Sequence, residues 1–291
     1  MVRIAVAALV AIVLVPQSDA RQSAAPRPSA PEVIVSAIVV DRAGEFVPGL
    51  TADDFALYAS DRRQTITSFQ AGPSRFSGAF LIDASGSMTT HFDVVPRVVR
   101  RLVLAMTPDD RIRLGSFADR VGIGPVLLSN RADLPSGMDM LVPGNASRVF
   151  DAIWSGLDAM RLETNRKVVV VFSDGDDTAS ATRLDELLPR AQAEGVAIHG
   201  VALPSTLYAS TGPDGRLGRL VGETGGSMQQ VRRLTDVDGL VDRVGRVVRE
   251  PYLLGFVPEI VDGRFRTLDV RVGRPGVKVL ARKRYLAARP R

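Results

Sequence analysis

The chain contains no cysteine, only two histidines, His91 and His199, and only three lysines among its 37 cationic residues. Without thiols there are no disulfide staples, thiolate nucleophiles, zinc-thiolate clusters, iron-sulfur ligands or lipid-modified N-terminal cysteine. Two strings that announce nucleotide or ester chemistry are also missing: no G-x-x-x-x-G-K-[ST] phosphate loop and no G-x-S-x-G nucleophile elbow occurs. A basic face within the fold is lacking as well. The formal charge of +5 equals the contribution of Arg282, Lys283, Arg284, Arg289 and Arg291, and everything before them sums to zero. That balance is not the footprint of a nucleic-acid-binding domain, so no nucleic-acid partner is expected. No run of 18 apolar residues exists, so the mature chain is expected to have no transmembrane segment.

What is present reads as globular. The 291 residues are 45% hydrophobic and 24% charged, enough for one large or two small domains with a sizeable core. Residues 1–20 combine Arg3, an apolar run from Ile4 to Val15, a break at Pro16 and small residues at Ser18 and Ala20, the pattern of a secretory signal peptide. Twelve apolar residues are too few to span a bilayer core. Export to a periplasm or to the outside is therefore expected. Residues 21–32 form a linker rich in Pro, Ala and Ser.

Residues 33–75 contain apolar runs at Val33–Val40, Phe55–Tyr58 and Thr65–Phe69, broken by turn-like stretches at 41–44 and 60–63. A matching pattern returns over 250–284, with Tyr252–Val257, Phe265–Val272 and Val277–Ala281. Together the two flanks predict about six strands of one small β-sandwich built from both ends of the chain. Residues 285–291 are left as a basic tail. Between the flanks, residues 76–249 alternate strand and helix patterns, predicting an α/β domain with a doubly wound, mostly parallel, Rossmann-like sheet. Its strands are expected at Ala79–Ile82, Ile112–Phe117, Val168–Phe172 and Val196–Leu203, short apolar runs suited to a sheet covered on both faces. Amphipathic helices are expected between Phe92 and Met106 and between Val149 and Met160. Thr182 with Asp185, and Thr235 with Asp238, read as capping boxes of two more, and Gly195 and Pro251 as stops.

The first α/β strand runs directly into Asp83-Ala84-Ser85-Gly86-Ser87, a D-x-S-x-S string. The carboxyl ends of parallel strands are where open α/β folds place ligands. Asp174 sits at the corresponding end of Val168–Phe172, and Ser147 opens the helix containing Trp154. Two carboxylates and three hydroxyls without His or Cys make a hard-oxygen set suited to Mg²⁺ or Mn²⁺, with Ca²⁺ also possible, and poorly suited to zinc. The two acids balance a dication, and the neutral hydroxyls leave it electrophilic enough to take an anionic oxygen from outside. Each residue also has a plainer role available: Asp83 as a turn aspartate, Ser147 as a helix N-cap, Asp174-Gly175 as a turn.

At these residues the chain resembles the von Willebrand factor type A (VWA) domain family, whose metal-ion-dependent adhesion site (MIDAS) uses D-x-S-x-S, a distant threonine and a later strand-end aspartate. Asp83, Ser85, Ser87 and Asp174 match that motif, and Ser147 stands where the family usually has threonine. The flanking strings Leu50-Thr51-Ala52-Asp53-Asp54-Phe55 and Tyr252-Leu253-Leu254-Gly255-Phe256 are similar to a secreted bacterial subgroup, the VWFA-related acidobacterial domain family. The resemblance implies a non-enzymatic protein-binding module of the cell envelope, in which a Mg²⁺ ion accepts a partner's Asp or Glu carboxylate. Two other readings remain open: a Mg²⁺-dependent phosphohydrolase, disfavoured because Ser85 replaces the second acid of D-x-D, and a structural envelope protein with a degenerate metal site. Asp176 and Asp177 are second choices near the ion, His91 is a minor one, and His199 is expected to be a buried strand residue.

Overall fold

The computed structural model describes residues 31–127, 134, 141–174, 177–204, 215–231 and 237–289. The expected signal peptide, nearly all of the linker, Gly175, Asp176, residues 205–214 and the expected Thr235 cap lie outside the described residues.

The middle of the chain builds a six-stranded sheet in the order β10-β9-β8-β5-β6-β7. Its members are β5 (Phe76–Asp83), β6 (Arg111–Phe117), β7 (Val121–Leu127), β8 (Arg166–Ser173), β9 (Ala197–Ala202) and β10 (Met228–Gln230). All pairs are parallel except β6 with β7. Every residue of β5 is buried, as expected for a central strand covered on both faces. Alternate residues then serve opposite faces. Phe80 and Ile82 pack with Val170 and Phe172 beneath α1 (Val95–Ala105) and α5 (Val237–Arg249). Ala79 and Leu81 pack with Val169 and Val171 beneath α2 (Val149–Ala159), α3 (Leu184–Glu194) and α4 (Gly215–Thr224). Each large aliphatic side chain buried this way contributes about 1.5–3 kcal/mol. The sheet is thus doubly wound, as expected.

The direction of winding reverses beside β5. The chain leaves β5 for β6 on one side and later returns to lay β8 on the other. Such a reversal opens a crevice at the carboxyl ends of the strands. Asp83 ends β5 and Ser173 ends β8, so both strands deliver their last residues to that crevice.

The flanks form two antiparallel sheets. One has the order β13-β1-β11-β4 and the other β14-β12-β2-β3. Their strands are β1 (Val33–Val40), β2 (Phe55–Ala59), β3 (Arg62–Gln64), β4 (Ser68–Gln70), β11 (Tyr252–Phe256), β12 (Phe265–Val272), β13 (Lys278–Ala281) and β14 (Arg284–Leu286). A single core joins the sheets around Leu57, Leu254, Phe256, Leu268 and Tyr285. Tyr252 organises one end of it. Its hydroxyl donates to the Val47 carbonyl at 2.8 Å and accepts from the Leu50 amide at 3.2 Å, and its ring lies against Phe46, Phe55 and Phe69.

Eight flank strands replace the six expected. Arg62 and Arg63, expected as turn, join Gln64 in β3 and pair with β2, because Ser60 and Asp61 take positive φ and complete the reversal two residues early. The strand expected at Thr65–Phe69 is confined to Ser68–Gln70. At the C-terminus Tyr285 and Ala287 are buried, Arg284 lies over the Phe265 ring, and the Arg289 Nε donates to the Asp262 carbonyl.

Two half-buried arginines lie where the flanks meet the α/β module. Arg282 donates to the Ile34 carbonyl in β1 at 2.9 Å and to the Gln192 carbonyl in α3 at 3.5 Å. Arg166 donates to the Val248 carbonyl at the end of α5 and to the Ser74 hydroxyl. Burial lowers both guanidinium pKa values to about 10.

Candidate metal centre

Asp83 is fully buried, and the protein supplies three donors to its carboxylate. Oδ1 accepts the Ser85 amide at 2.9 Å. Oδ2 accepts two hydroxyls, Ser147 at 2.9 Å and Ser173 at 2.7 Å. Burial nevertheless pushes the Asp83 carboxyl up to about 6, against the lowering effect of the bonds from Ser173, Ser85 and Ser147. Loss of hydration outweighs three hydrogen bonds at this depth.

Ser85 caps a short 3-10 helix at Gly86–His91, and its hydroxyl lies 3.2 Å from that of Ser87. Thr89, Thr90 and His91 belong to this helix and not to the start of α1, which begins at Val95. His91 is buried, with Nε2 2.6 Å from the Pro204 carbonyl.

Ser147 departs from its plainer reading. The first helical residue of α2 is Val149, the cap is Arg148, and the cap residue makes no side-chain capping bond. The Ser147 hydroxyl is spent on Asp83, 64 residues away. Its loop is fixed from two sides. The Ser147 amide donates to the Thr178 hydroxyl at 2.9 Å, and the Thr178 amide donates back to the Ser147 carbonyl at 2.9 Å. Asp119 accepts the Asn145 and Ala146 amides at 3.1 and 2.9 Å, which holds its carboxyl below the usual range. Gly144 permits this close approach, since a Cβ there would stand 2.7 Å from Asp119 Oδ2.

Asp174 follows Ser173 directly and is also buried. Among the described residues neither of its carboxylate oxygens has a hydrogen-bond partner. Buried polar groups are nearly always paired, so this carboxylate is the unexplained group of the site. Its oxygens, with those of Asp83, Ser85, Ser87 and Ser147, form an all-oxygen donor set that fits a hard divalent cation. Among the described residues no cluster of three or more His, Cys, Asp or Glu exists, so the set depends on hydroxyls.

Asp177, a second choice near the ion, has a different role. Its carboxylate accepts the Ser180 hydroxyl at 2.6 Å and the Phe150 amide at 3.5 Å, pinning the loop to the start of α2. His199 is the buried strand residue expected, its Nδ1 3.1 Å from both the Ser227 amide and hydroxyl. Burial, helped by the charge of Arg166, lowers its pKa to about 3. Ser173, Thr178 and Asp119 escaped the sequence reading. Ser173 alone carried a signal, as a hydroxyl residue next to a candidate ligand.

A doubly wound α/β module with this strand-end arrangement has the VWA fold. In sequence, residues 79–176 match the family model described as von Willebrand factor type A domain, a span holding all five candidate ligands. Among solved structures, proximal thread matrix protein 1 from the mussel byssus is similar at 18% identity and a TM-score of 0.50, covering 64% of this chain and 49% of that one. The chain thus spans about half the length of the mussel protein, and the likeness concerns the fold. A von Willebrand factor type A protein from Catenulispora acidiphila gives 10% identity and a TM-score of 0.49, covering 91% of this chain and 75% of that one. The vWF domain of the type V pili tip protein Mfa5 from Porphyromonas gingivalis gives 11% identity and 0.44, with coverages of 60% and 96%. No curated protein matches the chain in sequence.

Proposed function

We propose that the chain is a non-enzymatic, adhesion-type module that captures a carboxylate of a protein partner through a divalent cation held at the strand ends of its sheet. The observation that carries this reading is Asp174, buried with both oxygens unpartnered among the described residues, one residue from the hydroxyl that binds Asp83. An isolated buried carboxylate costs several kcal/mol, and a cation removes that cost.

Asp83, Ser85, Ser87, Ser147 and Asp174 are the residues that would hold the ion, Mg²⁺ first, with Mn²⁺ or Ca²⁺ as substitutes. When bound, the ion supplies an electrophilic position for an anionic oxygen from outside. Asp83 accepts the hydrogen bond of the Ser147 hydroxyl, whose oxygen lone pairs are then turned away from it and left free. The Asp119 and Thr178 bonds hold Ser147 in place, so the site is organised before any ligand arrives. The hydrolytic alternatives find little support, because His91 and His199 bond to Pro204 and Ser227 and Ser85 stands where a second acid would be needed.

Export follows from the leader-like residues 1–20. Among the described residues no helix is long and apolar enough to cross a membrane. In this reading the likeness of the flanking strings to the VWFA-related acidobacterial subgroup supports membership of that subgroup, with the sandwich as the support of the α/β module.

The test is capture of a partner from envelope extract by wild type and Asp83→Ala, each with Mg²⁺ or EDTA. Capture by wild type in Mg²⁺ alone is expected. Capture that survives EDTA, or that Asp83→Ala retains, contradicts the proposal.

A further inference from the structure

Ser173 lies outside the D-x-S-x-S string and outside the expected ligand set. Its hydroxyl nevertheless makes the shortest of the bonds to Asp83, 2.7 Å against 2.9 Å for both Ser147 and the Ser85 amide. Ser173 is 2% exposed and Asp83 is 0% exposed. The serine backbone is anchored from the other side, where it is level with Ala202 of β9 and its carbonyl accepts the Leu203 amide at 3.0 Å. Its hydroxyl therefore links a fixed strand end to the carboxylate of the neighbouring strand.

A carboxylate oxygen offers two in-plane lone pairs. At Oδ2 of Asp83 both hydroxyl bonds are made, one to Ser147 and one to Ser173. Without the second, only the Ser85 amide at Oδ1 and the Ser147 hydroxyl itself hold the carboxylate, and its alignment on Ser147 is no longer fixed from the β8 side. We propose that Ser173 is a positioning residue of the cation site: its hydroxyl fixes the Asp83 carboxylate so that Asp83 orients the Ser147 hydroxyl, and it thereby sets the affinity for a divalent cation. This rests on the strand-end cluster being a cation site.

The test is calorimetric titration of Mn²⁺ into the full chain as wild type, Ser173→Ala, Ser173→Thr, Ser173→Cys and Asp83→Ala, with thermal melts of each metal-free protein. Loss of a hydrogen-bond partner to a ligand residue typically weakens metal binding by about 10- to 100-fold, and that is the loss expected for Ser173→Ala. Ser173→Thr keeps the hydroxyl and is expected to bind near the wild-type level. Ser173→Cys keeps the volume with a weaker donor, is expected to bind weakly, and serves where Ser173→Ala does not fold. Wild-type affinity in both Ser173→Ala and Ser173→Cys, with binding abolished in Asp83→Ala, overturns the role of Ser173 and leaves the cation site standing. A fall in metal-free melting temperature with unchanged affinity overturns it as well, by making the serine merely structural. Absence of Mn²⁺ binding by wild type overturns both the site and this inference.

Discussion

Asp83 and Asp174 are both buried carboxylates one step apart at adjacent strand ends, yet the protein treats them oppositely. Among the described residues the first receives three hydrogen bonds and the second none. The D-x-S-x-S string, Ser147 and Asp174 were legible in sequence because each sits at a strand end or loop that the apolar runs define. Ser173, Thr178 and Asp119 were not, because their roles are bonds across 26 to 90 residues that no local spacing encodes. His199 offers a prediction independent of the metal. Its folded pKa is about 3, below the unfolded value near 6.5, so the folded state binds fewer protons between these values. Its neutral form thus stabilises the protein fully above about 6.5, and the contribution is lost as pH falls toward 3. His199→Gln lacks this titration. The stability gap between wild type and His199→Gln, measured by denaturant unfolding, is expected to narrow by roughly 2 kcal/mol between pH 7 and 5. A gap independent of pH contradicts the assignment.

At the scale of elements, the long buried strands and amphipathic helices follow from periodicity, and Val33–Val40 and Phe265–Val272 form over the residues that the pattern indicates. The strands β3, β7, β10 and β14 were missed, since all four lie at sheet edges and their pairing is set by neighbours more than by their own apolar content. The cap of α3 also shifted. The Arg183 amide, not that of Thr182, donates to the helix carboxylate, which belongs to Glu186 at 3.3 Å. Thr182 instead donates its amide to Asp151 of α2 at 2.8 Å, a contact that outcompetes the local box. Gly195 ends the helix in the left-handed region, as its sequence position predicts. The loop before α2 carries the site prediction of this scale. Gly144→Ala forces a methyl against Asp119 and Ala118, and is expected to cost about 1–3 kcal/mol of stability. Displacement of the loop should also weaken Mn²⁺ binding, because Ser147 moves with it. Titration and denaturation of the variant check both, and wild-type values in both would show that the loop does not position Ser147.

For the molecule as a whole, the chain enters and leaves through one sandwich, and the α/β module lies between. This composite arrangement was legible only as matching strand patterns at the two ends. The half-buried arginines at its junction, Arg282 between β1 and α3 and Arg166 between α5 and the Ser74 connector, were not, since nothing in sequence separates them from their exposed counterparts. Arg166→Ala removes bonds from a charged donor to Val248 and Ser74, and is expected to cost about 2–3 kcal/mol. The two parts should unfold together. Trp154, the single tryptophan, reports on α2, and hydrogen exchange of β11 and β12 reports on the sandwich. Coincident wild-type transitions are expected, and a sandwich that persists after Trp154 is exposed contradicts the coupling.

The central claim concerns the strand-end oxygens, and calorimetric titration of Mg²⁺ and Mn²⁺ into wild type and Asp83→Ala tests it most directly. One ion is expected to bind per wild-type chain, with an accompanying rise in melting temperature, and none to Asp83→Ala while that variant remains folded. Absence of binding to wild type, or equal binding to both proteins, would contradict the account.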